Sequence, residues 1–327
     1  MSNSDFGKIR IGITQGDLQG IGPEIIASAI KYYAEDTTIE LVILCTEEGK
    51  NSVLKWVGDN TSLSRVRIIE PDMSSIEKEL ANSPELACVY LGALLAMNKE
   101  IDALVTGPVN KHKVAESFPG FTGHTPFLKD LCKVKDKDVL MLMSSPNLKV
   151  AVLTEHVPLR EVPARLNKDK IINAVLLLND YISTINDNPV IGVLGLNPHA
   201  GDDGLIGTEE RDIIIPALND LKRLEVNVVG PIPGDTAFIP EAREKYDAIL
   251  AMYHDQGLIP VKMRGVDGVV NITLGLPIIR TSPGHGVAYD IAGKGIASAK
   301  SLIKAIEEAS TQVLTRRLAN EQQAHIC

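Results

Sequence analysis

The sequence predicts an α/β protein built on a mainly parallel sheet, and three observations carry that prediction. Short apolar runs rich in Val and Ile recur along the 327 residues. Segments of helical period lie between them. Each apolar run ends in a polar or glycine-rich joint. Near-continuous apolar runs suit strands covered on both faces, and strands alternating with helices suit parallel connections.

The runs are IRIGIT (9–14), IELVILC (39–45), IDALVT (101–106), DVLMLMS (138–144), KVAVLT (149–154), VIGVLG (190–195), VNVVG (226–230), DAILAM (247–252) and GVVNITL (268–274). PEIIASAIKYYA (23–34) reads as a helix that opens with proline, the favoured first helical residue. SPELACVYLGALLAMNKE (83–100) has sustained apolar periodicity, and NKDKIINAVLLLNDYIS (167–183) is amphipathic with Asn167 placed to cap it. The tail from about Ser298 reads as one long helix.

Acidic residues outnumber basic ones, 42 to 33, and there are five Phe and one Trp. Neither a phosphate-binding stripe nor an aromatic platform is visible, so no nucleic-acid partner is expected. The cysteines at 45, 88, 132 and 327 form no CxxC pair, which points to reduced thiols rather than a zinc knuckle. No run of 18 apolar residues and no basic-then-apolar leader is present, so the expectation is a cytoplasmic protein with no membrane partner.

Ligands of open α/β sheets sit beyond the carboxyl ends of strands, so the joints are where chemistry is sought. ITQGDLQGIGPE (13–24) is either a phosphate-cradling turn or a tight turn that shapes a site wall; it is neither GxGxxG nor a Walker loop. In VTGPVNKHKV (105–114), Asn110 caps a helix, and Lys111 either holds an anion or faces solvent. In FTGHTPF (121–127), His124 and Thr125 stand at a helix start; they meet an anionic group, or Thr125 merely caps. Thr208 is placed to cap a further helix whose first turn holds Glu209 and Glu210.

Three apolar runs lead to histidine: His156, His199 and His254. Spacings of 43 and 55 residues do not suit a small zinc knuckle but do suit a site assembled from separate strand ends. Three imidazoles suit a divalent metal with an open position; alternatively each histidine hydrogen-bonds or binds substrate singly. Asp202, Asp235 and Asp255 offer supporting or alternative ligands. Lys262 follows LIPV and Arg280 follows LGLPII; read as short strands, these bring both cations and Asn271 toward an anionic substrate, the alternative being ordinary surface basics.

HGVAYDIAGKGIAS (285–298) resembles the adenosine-binding loop of the isocitrate and isopropylmalate dehydrogenase superfamily. Taken with GDLQGIGPEI, VTGPVNK, FTGHT, LTEHVPL, LNPHAGDDGLIGTEE, PGDTAF, MYHDQGLIPVK and NITLGLPIIRTSPGHG, the chain resembles the 4-hydroxythreonine-4-phosphate dehydrogenase family over about residues 8–320. The resemblance implies a two-domain fold around a cleft rather than a standard Rossmann domain. The expected division is 1–130 with 270–327, and 131–269, the latter carrying most of the metal site and the dimer interface. It implies a homodimer with a shared active site, and one divalent ion (zinc, magnesium or cobalt) on His156, His199 and His254. Substrate would meet His124, Thr125, Lys262, Asn271 and Arg280. NAD or NADP would lie on the loop of Gly284, His285, Gly286, Asp290, Gly293 and Gly295.

The implied reaction is oxidation of 4-phosphohydroxy-L-threonine, followed by decarboxylation to 3-amino-2-oxopropyl phosphate, in pyridoxal 5'-phosphate biosynthesis. Lys262 is the first candidate for proton transfer, with Asp235 and Asp255 as competitors. Leu18 stands where the family has proline, and Pro126 where glutamate is common. These departures keep open a sister reaction on a four-carbon sugar-acid phosphate such as D-threonate or D-erythronate 4-phosphate.

Overall fold

The computed structural model describes residues 7–58, 61, 63–263 and 265–326. The chain divides into two compact units: Met1–Lys133 with Val266–Val270 and Leu276–Cys327, and Val134–Gly265 with Asn271–Gly275. Among the described residues the strands are, in chain order, β1 (Ile9–Thr14), β2 (Ile39–Leu44), β3 (Val66–Ile69), β4 (Ala103–Val105), β5 (Leu140–Ser145), β6 (Leu148–Val152), β7 (Ile191–Leu194), β8 (Val228–Ile232), β9 (Ala248–Ala251), β10 (Val270–Leu274) and β11 (Arg280–Pro283).

In the first unit the order is β3-β2-β1-β4-β11, and every pair is parallel. Ile11 through Thr14 are all buried, as a strand covered on both faces requires. Helix Pro84–Met97 packs on β1, β2 and β4, and helix Lys300–Ile326 packs on β1, β4 and β11. The edge strand β3 is only half-buried, and for that reason its VRII was not legible as an apolar run.

In the second unit the order is β10-β5-β6-β9-β7-β8. Strands β6, β9, β7 and β8 are parallel neighbours. Strands β5 and β6 are antiparallel, with Ser145 opposite Leu148 across a turn at Pro146 and Asn147. That hairpin departs from the mainly parallel expectation. Both of its strands read as continuous apolar runs, and its turn carries no glycine to announce it. Helix Lys168–Ser183 begins where expected: the Asn167 side chain accepts from Lys170 N at 2.9 Å.

Two local expectations are corrected. HDQGLIPVK is not a turn followed by a strand but one helix, His254–Lys262. Gly257 allows it to lie against the sheet, because a Cβ there would come within 2.9 Å of Val150 and 3.0 Å of Val152. Leu258 and Val261 complete the buried face. LGLPII is likewise not a strand. It runs as bends through Gly275 and Pro277, and strand structure resumes only at Arg280.

Candidate active site

The three histidines follow three strands that are neighbours in the second unit, in the order β6, β9, β7. Polar side chains lace these strand ends together. Thr154 Oγ1 donates to Met252 O at 2.7 Å, joining the ends of β6 and β9. Gln256 accepts from Met252 N and donates to Gly195 O, both at 2.7 Å, joining β9 to β7. His156 and His254 meet with ring centroids 5.6 Å apart.

His199 lines a cavity of about 550 Å³ together with Asn197, Asp235, Tyr253, Asp255 and Gln256. Each histidine turns Nδ1 toward a nearby carboxylate: His254 to Asp255 at 2.6 Å, His199 to Asp202 at 3.2 Å, and His156 to Glu155 at 3.9 Å. An imidazole engaged at Nδ1, as those of His199 and His254 are, presents Nε2 for coordination, so the chemistry of the donor set, though not its spacing here, suits a borderline divalent ion. Among the described residues, no group of three or more His, Cys, Asp or Glu converges on one metal position.

The loop carrying His199 has an unusual backbone. His199, Ala200, Gly201, Asp202 and Asp203 all have positive φ, from 43° to 86°. A left-handed turn made mostly of non-glycine residues costs roughly 1–2 kcal/mol per residue and needs external support. Glu210, 3% exposed, supplies it. Its carboxylate accepts from Leu196 N and Asn197 N at 2.7 Å each, and from Asn197 Nδ2 at 2.8 Å.

Glu209 also accepts from Asn197 Nδ2, at 2.7 Å. Thr208 therefore does not cap the following helix as expected. Both glutamates turn back to the loop, and the helix opens with a π turn over Glu210–Ile214. The sequence assigned Glu210, Gln256 and Thr154 none of these bridging roles, since nothing in their local pattern marks a long-range hydrogen bond.

Lys262 is not beside His254. It is the last residue of the helix that His254 begins, about 12 Å along the axis, and it is exposed. Asn271, on β10, keeps its Oδ1 buried with no hydrogen-bond partner.

A second cluster lies in the first unit. His124 opens a helix after Gly123, and Thr125 does not cap it. The His124 Nε2 is buried without a hydrogen-bond partner. Burial, then the cations Arg280 and Lys111, push its pKa down to about 3, so the ring is neutral. Arg280, 2% exposed, donates to Thr106 Oγ1 at 2.6 Å. Asn110 caps its helix as expected, accepting from His112 N and Lys113 N. A neutral histidine beside two cations suits an anionic group that accepts hydrogen bonds.

The glycine-rich joints of this unit are bound to each other. Glu24, 6% exposed, accepts from Gly293 N and from Gly295 N, the latter at 3.0 Å. Ile21 N donates to Val287 O at 3.0 Å, and a Cβ on Gly20 would lie 2.6 Å from that same oxygen. The 13–24 joint thus shapes a wall: it supports the 284–297 loop with its own hydrogen-bonding groups.

The family model for the pyridoxal phosphate biosynthetic protein PdxA matches residues 26–309. The chain belongs to the PdxA family. A PdxA-family relative, the 4-hydroxythreonine-4-phosphate dehydrogenase of Sulfurihydrogenibium sp., is 37% identical over 316 residues, covering 91% of this chain and 97% of its own. The crystal structure of 4-hydroxythreonine-4-phosphate dehydrogenase from Klebsiella pneumoniae is 32% identical, covers 94% of this chain and 98% of its own, and superposes with a TM-score of 0.78. Isocitrate dehydrogenase from Methylococcus capsulatus shares only the fold, at 14% identity and a TM-score of 0.54, covering 95% of this chain and 89% of its own. The isocitrate dehydrogenase-like architecture expected of this PdxA chain is therefore observed. Among the described residues no helix is long and apolar enough to cross a membrane.

Proposed function

We propose that this chain is a 4-hydroxythreonine-4-phosphate dehydrogenase. It oxidises the secondary alcohol of 4-phosphohydroxy-L-threonine with NAD or NADP, and the resulting β-keto acid loses CO2 to give 3-amino-2-oxopropyl phosphate. The observation that carries this reading is the 37% identity to a relative of that name across nearly the whole of both chains. The polar strand ends described above support it.

His156, His199 and His254 would hold one divalent ion: zinc, magnesium or cobalt. Bound there, it would supply Lewis acidity to the oxygen of the reacting carbon. Asp255, bonded to His254 Nδ1, fixes the tautomer and orientation of that ring. Asp235 lines the same cavity as Asp255, and since Asp255 Oδ1 is engaged by His254, Asp235 would be the one to exchange a proton.

His124 and Thr125, with Arg280 and Lys111 nearby, would receive the phosphate or carboxylate. The buried, unpartnered His124 Nε2 is a group that a bound anion would satisfy. Lys262, exposed at the end of its helix, would reach substrate bound by a second copy, in keeping with a homodimer that shares its sites. Leu205, Ile259 and Met263 are exposed apolar side chains around the His199 loop and cavity, and a second copy there would cover them.

The test is a steady-state assay of purified protein on 4-phosphohydroxy-L-threonine and on D-threonate and D-erythronate 4-phosphates, with each nicotinamide. Preferred turnover of the hydroxythreonine phosphate is expected. Preference for a sugar-acid phosphate would replace this reading by the sister activity. Lys262→Ala should lower turnover without loss of fold, and an unchanged rate at every pH would remove Lys262 from the chemistry.

A further inference from the structure

Tyr289 lies in the middle of the 284–297 loop and is 43% exposed. Its hydroxyl is nevertheless anchored. Tyr289 Oη donates to Asp17 Oδ2 at 2.5 Å and accepts from Asn110 Nδ2 at 3.0 Å. Asp17 is 1% exposed and also accepts from Gln19 N at 2.9 Å and from Lys113 Nζ at 3.2 Å. Burial alone would raise the Asp17 carboxyl, but the bonds from Tyr289, Gln19 N and Lys113 hold it below the usual carboxylate range. The acceptor is therefore charged and fixed, and a hydrogen bond to such a group is among the stronger kinds.

The neighbouring backbone is strained. Ala288, immediately before Tyr289, has φ 47°, a left-handed conformation that a non-glycine residue adopts at a cost. The supports at Val287, Gly293 and Gly295 all engage the loop's backbone. Tyr289 is where a loop side chain reaches across to the 13–24 and 105–114 joints, and it does so beside the strained residue.

We propose that Tyr289 is a positioning residue for the nicotinamide dinucleotide: its bond to Asp17 holds the 284–297 loop in the shape that receives the cofactor. This rests on the reading that the loop binds the dinucleotide. Removing the hydroxyl lets Ala288 relax out of the left-handed region and carries the loop away from its binding shape. Affinity for the dinucleotide falls, while the chemistry at the histidine site is untouched.

The test is Tyr289→Phe in the full-length, metal-loaded protein. The KM for the dinucleotide should rise about tenfold, which corresponds to about 1.4 kcal/mol, with kcat and the KM for the hydroxy acid within twofold of wild type. Asp17→Asn, which keeps an acceptor oxygen, should restore most of the wild-type KM relative to Asp17→Ala. Equal losses in kcat and in both KM values would assign Tyr289 a merely structural role and overturn the proposal. Hydrogen exchange of the 284–297 peptide in wild type, with and without dinucleotide, separates the two layers. Absence of protection by dinucleotide overturns the loop reading itself. Protection in wild type combined with a wild-type KM in Tyr289→Phe overturns the positioning role alone.

Discussion

Two loops of this protein are each gathered by one buried glutamate, and they differ in what the glutamate must hold. In the first unit Glu24 takes the amides of Gly293 and Gly295, which sit at φ 77° and 69°. Glycine reaches that region without steric cost, so the carboxylate only selects among conformations already open to the loop. In the second unit Glu210 takes the amides of Leu196 and Asn197 at the root of a left-handed turn that includes His199, Ala200, Asp202 and Asp203. There the carboxylate opposes real backbone strain. Similar hydrogen bonds thus do different work: one trims entropy, and the other sustains a conformation the chain would leave.

That contrast orders the expected effects of substitution. The largest belongs to the histidine site itself: His254→Ala should abolish metal-dependent turnover and lower bound metal measured by elemental analysis. Wild-type metal content and rate would remove His254 from the site. Next comes Glu210→Ala, which releases the strained loop and should weaken metal affinity by about 10- to 100-fold, the range seen when a group supporting a ligand is lost. Calorimetric metal titration reads this, and an unchanged affinity would mean that the left-handed turn holds itself.

Glu24→Gln should be milder. One amide oxygen still accepts from the loop, and the glycines can adopt their conformation unaided, so a loss of about 1–2 kcal/mol in unfolding free energy is expected. Chemical denaturation of both variants checks it; an equal loss of unfolding free energy in Glu24→Gln and Glu210→Ala would erase the distinction drawn between the loops.

A further effect concerns pH. His124 takes up a proton only near pH 3 in the folded chain, against an ordinary value of 6.5. Its contribution to stability is therefore full above pH 6.5 and is lost as pH falls toward 3, because the unfolded chain binds the proton first. In His124→Asn the fall of the denaturation midpoint between pH 6.5 and 4 should be shallower than in wild type, and an identical slope would mean that the ring is not held neutral.

Much of this was legible in the sequence where the cause is local. Val- and Ile-rich runs mark strands such as IRIGIT because a strand buried on both faces has no room for polar residues. Asn167 and Asn110 cap helices because an asparagine oxygen reaches amides two or three residues on. The three histidines could be placed past strand ends by counting from apolar runs. LIPV misled because four apolar residues carry no period of their own, and the contact of Gly257 with β6 decides for a helix. The β5–β6 hairpin was hidden because two buried strands look alike whichever way they run.

By itself, then, the sequence determined the α/β class, the main elements, their caps and the family to which the joints belong. These depend on side-chain period and on hydrogen bonds between near neighbours, which any short window of sequence contains. The tertiary structure alone decided which groups would be brought together. Glu210 meets Leu196 across 14 residues, Glu24 meets Gly293 across 269, and Tyr289 meets Asp17 across 272. Bonds of that reach exist only after the sheet has fixed where each loop begins and ends, so no local pattern can announce them.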